Sequence, residues 1–214
     1  MSYTLHFTPG TCARVPLIAL AESGAEFDVK HVQLMKGEHK RPDYLAKNPA
    51  GKVPLLETPE GALAQNVAIA RYLGSKFPQL LPQTDDAFAD AKITANLAFC
   101  ADTLHPIVTR MRMPMFIADG DEAQQSVREK GHAAMVMMAK VVEDQLTNGP
   151  WWYGDEWSIQ DAYIYWIWFR LLSVDYDVSV LPNWAAHAAR MEERPAVQRA
   201  LKIENDLLEQ STAQ

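Results

Sequence analysis

The stretch Tyr3-Thr4-Leu5-His6-Phe7-Thr8-Pro9-Gly10-Thr11-Cys12-Ala13-Arg14-Val15-Pro16-Leu17-Ile18-Ala19-Leu20 decides the fold. An apolar strand over 3–7 runs into a Pro-Gly turn, and a helix over 13–23 follows at once, with Gly24 as the residue just past its end. Cys12 stands where strand gives way to helix. The first N–H groups of a helix lack internal partners and carry the positive end of its dipole, so a thiol there ionises more readily, and the thiolate is the reactive form. Position alone leaves two readings: a thiol-chemistry centre, or a small apolar residue in a tight turn. Pro16 adds a local expectation. In a helix opening at Cys12, the N–H that would bond the Cys12 carbonyl belongs to residue 16, and proline has none. That carbonyl is expected to find another partner, or the first turn to be distorted.

Outward from this stretch, further strands are expected over 27–34 and 53–57, the latter followed by a turn at Pro59-Glu60-Gly61, and a second long helix opens near Asn66. The order is strand–helix–strand–helix–hairpin–helix. Residues 77–86 contain two prolines and little periodicity, and they read as a connection. Beyond them the patterns are helical: 87–117, interrupted at Pro106 and Pro114, then 122–146, 158–172, 183–194 and 196–208. The run 158–172 is apolar almost all round, which predicts a central buried helix. All six tryptophans lie between Trp151 and Trp184. The reading is an α/β domain over 1–77, a linker over 78–86 and an all-helical domain over 87–214.

Composition excludes several classes of function. A net charge of −7 disfavours nucleic acid or an anionic membrane as partner. It also means that an anionic small ligand needs local positive potential. No stretch approaches the ~20 apolar residues of a membrane span. The opening Met1-Ser2-Tyr3-Thr4 has no leader pattern, and two cysteines far apart in sequence suit a reducing compartment, so a cytoplasmic protein is expected. Neither cysteine has metal-type spacing, and no metal is expected.

Two further motifs belong beside Cys12. In Asn48-Pro49-Ala50-Gly51-Lys52-Val53-Pro54-Leu55-Leu56, Pro54 opens a strand. Proline donates no N–H and its preceding peptide can be cis, so Val53 can present its backbone to an extended peptide; a strand-edge proline of no functional meaning is the commoner case. In Leu63-Ala64-Gln65-Asn66-Val67-Ala68-Ile69, Asn66 reads as an N-cap beside Gln65, a ready carboxylate site that more often is simple capping.

Together, the order Cys…Val-Pro…Gln-Asn resembles the glutathione transferase superfamily over essentially the whole chain. The Pro-Gly-x-Cys form resembles its bacterial beta-like, cysteine-type class. Ser158-Ile159-Gln160-Asp161-Ala162-Tyr163 looks like the family's C-domain capping motif, and Arg194-Pro195-Ala196-Val197 like a late signature. The resemblance implies a thioredoxin-like N-terminal domain, a helical C-terminal domain, a homodimer, and glutathione as co-substrate. It implies that Cys12 faces the glutathione sulfur, Val53 pairs with the cysteinyl moiety before a cis Pro54, and Gln65 and Asn66 hold the γ-glutamyl carboxylate. Lys36 would reach the glycyl carboxylate, and His105 would be the histidine placed near the cysteine. Three positions depart from the class: Ala98 stands where an asparagine is usual, Pro106 where a lysine often follows the histidine, and Gln65-Asn66 replaces an acidic-then-small pair.

The expected activity is conjugation of glutathione to small electrophilic substrates, with glutathione-dependent thiol transfer to a disulfide through Cys12 as a second chemistry. Lacking a Cys-x-x-Cys pair, any redox cycle would be monothiol. The alternative is a non-catalytic ligand-binding or protein-interaction module on the same fold. Ser158 and Asp161 read as fold determinants, Cys100 as inert core, and Met111 to Met115 as the better pocket candidates among the methionines. Arg110 and Arg112 read as surface charges.

Overall fold

Residues 3–212 are described by the structure, a computed structural model. The elements are β1 (Tyr3–Phe7), α1 (Arg14–Ser23), β2 (Phe27–His31), α2 (Pro42–Leu45), β3 (Leu55–Thr58), β4 (Gly61–Ala64), α3 (Asn66–Lys76), α4 (Ala87–Ala98), α5 (His105–Arg112), α6 (Asp121–Gln145), α7 (Ile159–Leu171), α8 (Pro182–Glu192) and α9 (Pro195–Thr212). Contacts divide the chain into two compact units. One runs up to Pro82 and takes in the residues from Glu192 onward; the other is Gln83–Met191. The final helix therefore goes with the first unit, although the sequence pattern groups it with the helical run from 87 on.

The first unit is built on a four-stranded sheet in the order β2-β1-β3-β4. β1 and β2 are parallel, with Tyr3 opposite Phe27 and Phe7 opposite His31. A parallel pair needs a crossover, and α1 supplies it. β3 and β4 add antiparallel strands beyond β1. Leu5, Phe7, Leu17, Ile18, Leu20, Leu55, Leu56, Ile69 and Leu73 are fully buried. Each such side chain contributes about 1.5–3 kcal/mol of burial. Every residue of α1 from Arg14 to Ala21 is buried, so this helix lies inside the unit rather than on it. β3 opens at Leu55, two residues later than the sequence pattern suggests, because Pro54 has no N–H to give to a ladder. β2 stops at His31, and Leu34–Lys36 forms a 3₁₀ turn instead of strand. Leu80 and Leu81, in the segment expected as a linker, are buried, and Leu81 seats against Gly74 of α3.

The second unit is helical. Its core holds all six tryptophans, each less than a tenth exposed. α7 is the central helix, buried at every position except Phe169. Asp161 accepts from Ser158 N (2.8 Å), Ser158 Oγ (3.0 Å), Trp152 N (2.7 Å) and His187 Nε2 (3.0 Å), which makes the Ser158/Asp161 pair a capping box tied into the fold. Glu143 of α6 likewise accepts the N–H groups of Asn183 and Trp184 at the start of α8. The expected interruption at Pro106 does not occur. Phe99–Leu104 widens into a π turn in which the His105 N–H reaches the Cys100 carbonyl, and the chain continues through Pro106 as the second residue of α5. Pro114 does lie beyond the end of α5. No helix among the described residues is long and apolar enough to cross a membrane. None of them forms a His/Cys/Asp/Glu cluster that could hold a metal.

Candidate active site

Cys12 occupies the turn between β1 and α1, which is held by short-range bonds within the turn and by long-range bonds to other elements. Thr11 N–H and Thr11 Oγ1 both donate to the Thr8 carbonyl (3.2 and 2.7 Å), and the Thr11 carbonyl accepts the Arg14 N–H (3.1 Å). Gly10 sits at φ 74, a conformation that glycine adopts without cost. The long-range bonds come from three places. The half-exposed Cys12 Sγ donates to the Val53 carbonyl at 3.9 Å. Asn66 Nδ2 donates to the Cys12 carbonyl at 3.1 Å. Glu204, on α9, accepts the Gly10 N–H through Oε1 (2.5 Å) and pairs with Arg14 Nε and Nη2 (2.8 and 2.9 Å).

The expectation drawn from Pro16 is met in both of its forms. The Cys12 carbonyl receives the Val15 N–H at 3.1 Å, a three-residue turn, and takes Asn66 Nδ2 as a second donor. Regular α-helical bonding resumes with Leu17 N–H on the Ala13 carbonyl.

The same bond corrects the reading of Asn66 as an N-cap. Gln65 holds that position, and Asn66 is the first helical residue, buried, with its amide spent on Cys12. The reason is that the Cys12 carbonyl, denied the N–H of residue 16, has room beside the Val15 N–H for a second donor, and the Asn66 amide takes that place. Asn66 Oδ1 is buried and has no hydrogen-bond partner among the described residues. Gln65 is exposed and lies at φ 72, ψ 125, a region costly for a residue with a Cβ, and such strain concentrates at functional positions. The first bond of α3 runs from Ile69 N–H to the Gln65 carbonyl, so the N–H groups of Asn66, Val67 and Ala68 open the helix, as an anion site requires. The Val53-Pro54 peptide is cis, with Pro54 buried and Val53 half-buried.

Cys12, Val53-Pro54 and Asn66 are thus brought together by direct contacts, with Gln65 the next residue. Lys36 stands apart from these contacts, exposed on the 3₁₀ turn after β2 and followed by Gly37 in the left-handed region. His105 belongs to the second unit. Its ring packs edge-on against Trp166, centroids 4.5 Å apart, and its Nδ1 lies 3.4 Å from the Tyr163 hydroxyl. Cys100 is buried beneath Gln160 Nε2 at 3.1 Å, and burial pushes its thiol pKa up, which leaves it unreactive at neutral pH. Met111 is core, whereas Met115 is half exposed. Arg14 and Glu204 are the residues that sequence reasoning missed. An arginine opening an otherwise apolar buried helix was a signal that a partner carboxylate must exist, but nothing in the sequence says which one.

A parallel β1–α1–β2 unit extended by an antiparallel hairpin and α3 is a thioredoxin-like domain, here carrying a cysteine at the first strand–helix junction and followed by a helical domain. Residues 1–75 match the family described as "Glutathione S-transferase, N-terminal domain". The chain is 34% identical over 205 residues to glutathione S-transferase GstA of Escherichia coli O157:H7, covering 94% of this chain and 98% of that one. Among solved structures, a bacterial beta class glutathione S-transferase of Sphingomonas chungbukensis superposes with a TM-score of 0.80 at 29% identity, over 94% of this chain and 98% of that one. A glutathione transferase homologue from Sulfitobacter, solved with bound glutathione, gives 0.83 at 26% identity, over 95% and 98%. The chain belongs to the glutathione S-transferase superfamily.

Proposed function

We propose that this glutathione transferase binds glutathione in its first unit, sets the glutathione sulfur against Cys12, and conjugates it to small hydrophobic electrophiles. Monothiol transfer through Cys12 is the second chemistry of the same site. The observation that carries the reading is the convergence of Cys12 Sγ, the Val53 carbonyl and the Asn66 side chain at the opening of α3. Val53 supplies backbone pairing for the cysteinyl part of an extended peptide, and the first N–H groups of α3 supply a place for its γ-glutamyl carboxylate next to Gln65. Because the Asn66 amide is engaged on Cys12, Asn66 serves the carboxylate through its backbone N–H. Lys36 offers an exposed cation for the glycyl carboxylate, which a chain of net charge −7 must provide locally. The bound glutathione seen in the Sulfitobacter homologue supports the same ligand here.

In conjugation, the glutathione thiolate attacks the electrophilic carbon and either adds to it or displaces its leaving group, while the thiol proton passes to solvent. In thiol transfer, the Cys12 thiolate attacks a disulfide of glutathione, forms a mixed disulfide and releases one glutathione thiolate. We further read the protein as a cytoplasmic homodimer acting in detoxification. A dimer is supported by exposed apolar side chains on α6: Val136, Met137 and Val141. The test is Cys12→Ser. A serine hydroxyl ionises far less readily than a thiol, so thiol transfer should be abolished while conjugation persists at a reduced kcat through a hydrogen bond from serine. Equal loss of both activities would show that they are not separable.

A further inference from the structure

We propose that Glu204, near the end of the chain, is a positioning residue for Cys12. The inference rests on the reading of Cys12 as the reacting thiol. Cys12 is bracketed two residues on either side by groups that bind one buried carboxylate: the Gly10 N–H before it and the Arg14 guanidinium after it. The side chains of Arg14 and Glu204 are 6% and 3% exposed. The turn between them therefore has its two ends fixed to a single rigid point on α9, 190 residues away in sequence. Within it, Gly10 is held at φ 74, where the backbone would otherwise be free to choose among several conformations. The third anchor, Asn66 Nδ2 on the Cys12 carbonyl, fixes the middle.

A merely structural ion pair would stabilise the fold without caring which atom the Gly10 N–H meets. Glu204 instead divides its oxygens: Oε1 serves both Gly10 and Arg14 Nη2, while Oε2 takes Arg14 Nε. Shifting the Gly10 end of the turn by an ångström re-aims Sγ relative to Val53, and a displacement of that size in a reacting group can cost up to about 100-fold in rate.

Removing one charge of a buried pair risks unfolding, so the comparison is between two neutral double variants. Arg14→Met with Glu204→Gln retains an acceptor for the Gly10 N–H; Arg14→Met with Glu204→Leu does not. Cys12 alkylation by iodoacetamide is followed across pH, which needs no turnover, with buried Cys100 as internal control. The leucine variant should alkylate about tenfold more slowly at neutral pH than the glutamine variant, with its pH midpoint displaced upward. Equal rates and equal midpoints in the two variants would overturn the proposal. Should the leucine variant not fold, hydrogen exchange in the wild-type protein decides the matter: the Gly10 amide should exchange as slowly as those of α1, and exchange at the rate of an unprotected loop overturns the proposal. If Cys12→Ala kept full activity, the reading of the site would fail, yet the alkylation comparison would still report whether Glu204 aims the thiol.

Discussion

At the scale of single residues, the site turns on a missing hydrogen. Pro16 deprives the Cys12 carbonyl of its ordinary helical donor, and the Val15 N–H together with Asn66, from a different helix, takes its place. The two are coupled, and the coupling can be measured. Asn66→Ala should lower stability by about 1 kcal/mol, the usual net worth of one such bond. Asn66→Asp tests the carboxylate site. An aspartate in the first turn gains up to about 1 kcal/mol from the helix dipole, but it places a negative charge where the ligand's carboxylate is to bind. The KM for glutathione should therefore rise more in Asn66→Asp than in Asn66→Ala; steady-state kinetics showing the reverse order would remove α3 from the binding site. These positions also show what the sequence could and could not disclose. Pro16 announced that the Cys12 carbonyl needed a partner, and the local pattern marked Asn66 as important. It did not connect the two, because the bond spans 54 residues and depends on how α1 and α3 pack. From sequence alone Asn66 accordingly reads as a cap, the default for an asparagine at a helix start.

At the scale of elements, what was legible followed from local chemistry. β1 and α1 stand out through their apolar runs, the Pro-Gly turn between them and Gly24, and the buried α7 through a run apolar almost all round and the Ser158/Asp161 box. Two elements escaped for identifiable reasons. Proline at 106 reads as a break in the sequence, but it falls in the first turn of α5, directly after the π turn over Phe99–Leu104, where a missing N–H is tolerated. Residues 78–86 read as a linker because prolines mask periodicity, yet Leu80 and Leu81 are buried and Leu81 seats against Gly74 of α3. That contact yields a prediction in which two effects compete. Alanine in place of Gly74 would gain up to about 1 kcal/mol of helix propensity. Its Cβ would meet Leu81 Cδ1 at 2.7 Å and Leu81 Cβ at 3.0 Å, and overpacking of this kind costs about 1–3 kcal/mol. The clash should win, with Gly74→Ala lowering Tm by about 2–4 °C. An unchanged or raised Tm would mean that Leu81 moves aside freely.

At the scale of the whole molecule, acidity links the first unit's sheet to stability. His6 is buried in β1 and bonded to Glu57, and burial pushes its pKa below the ordinary 6.5 more strongly than the neighbouring carboxylate pulls it up. The unfolded chain then takes up a proton before the folded one does, so stability falls as pH drops below 6.5. His31, also lowered by burial, acts in the same direction. Glu57 is held down chiefly by the Lys47 ammonium and then by His6, so its contribution is present above 4.5 and is lost only further into acid. Thermal melts between pH 7 and 5 should show Tm declining, and His6→Gln should flatten part of that slope; parallel slopes in the two proteins would contradict the assignment. The account as a whole depends on one juxtaposition, the sulfur of glutathione against Cys12. Mass spectrometry with peptide mapping after incubation with oxidised glutathione tests it most directly. The account predicts a single glutathione on Cys12, removable by reductant, none on buried Cys100, and none on the Cys12→Ala protein. A wild-type protein that acquires no adduct, or acquires it at Cys100, would contradict it.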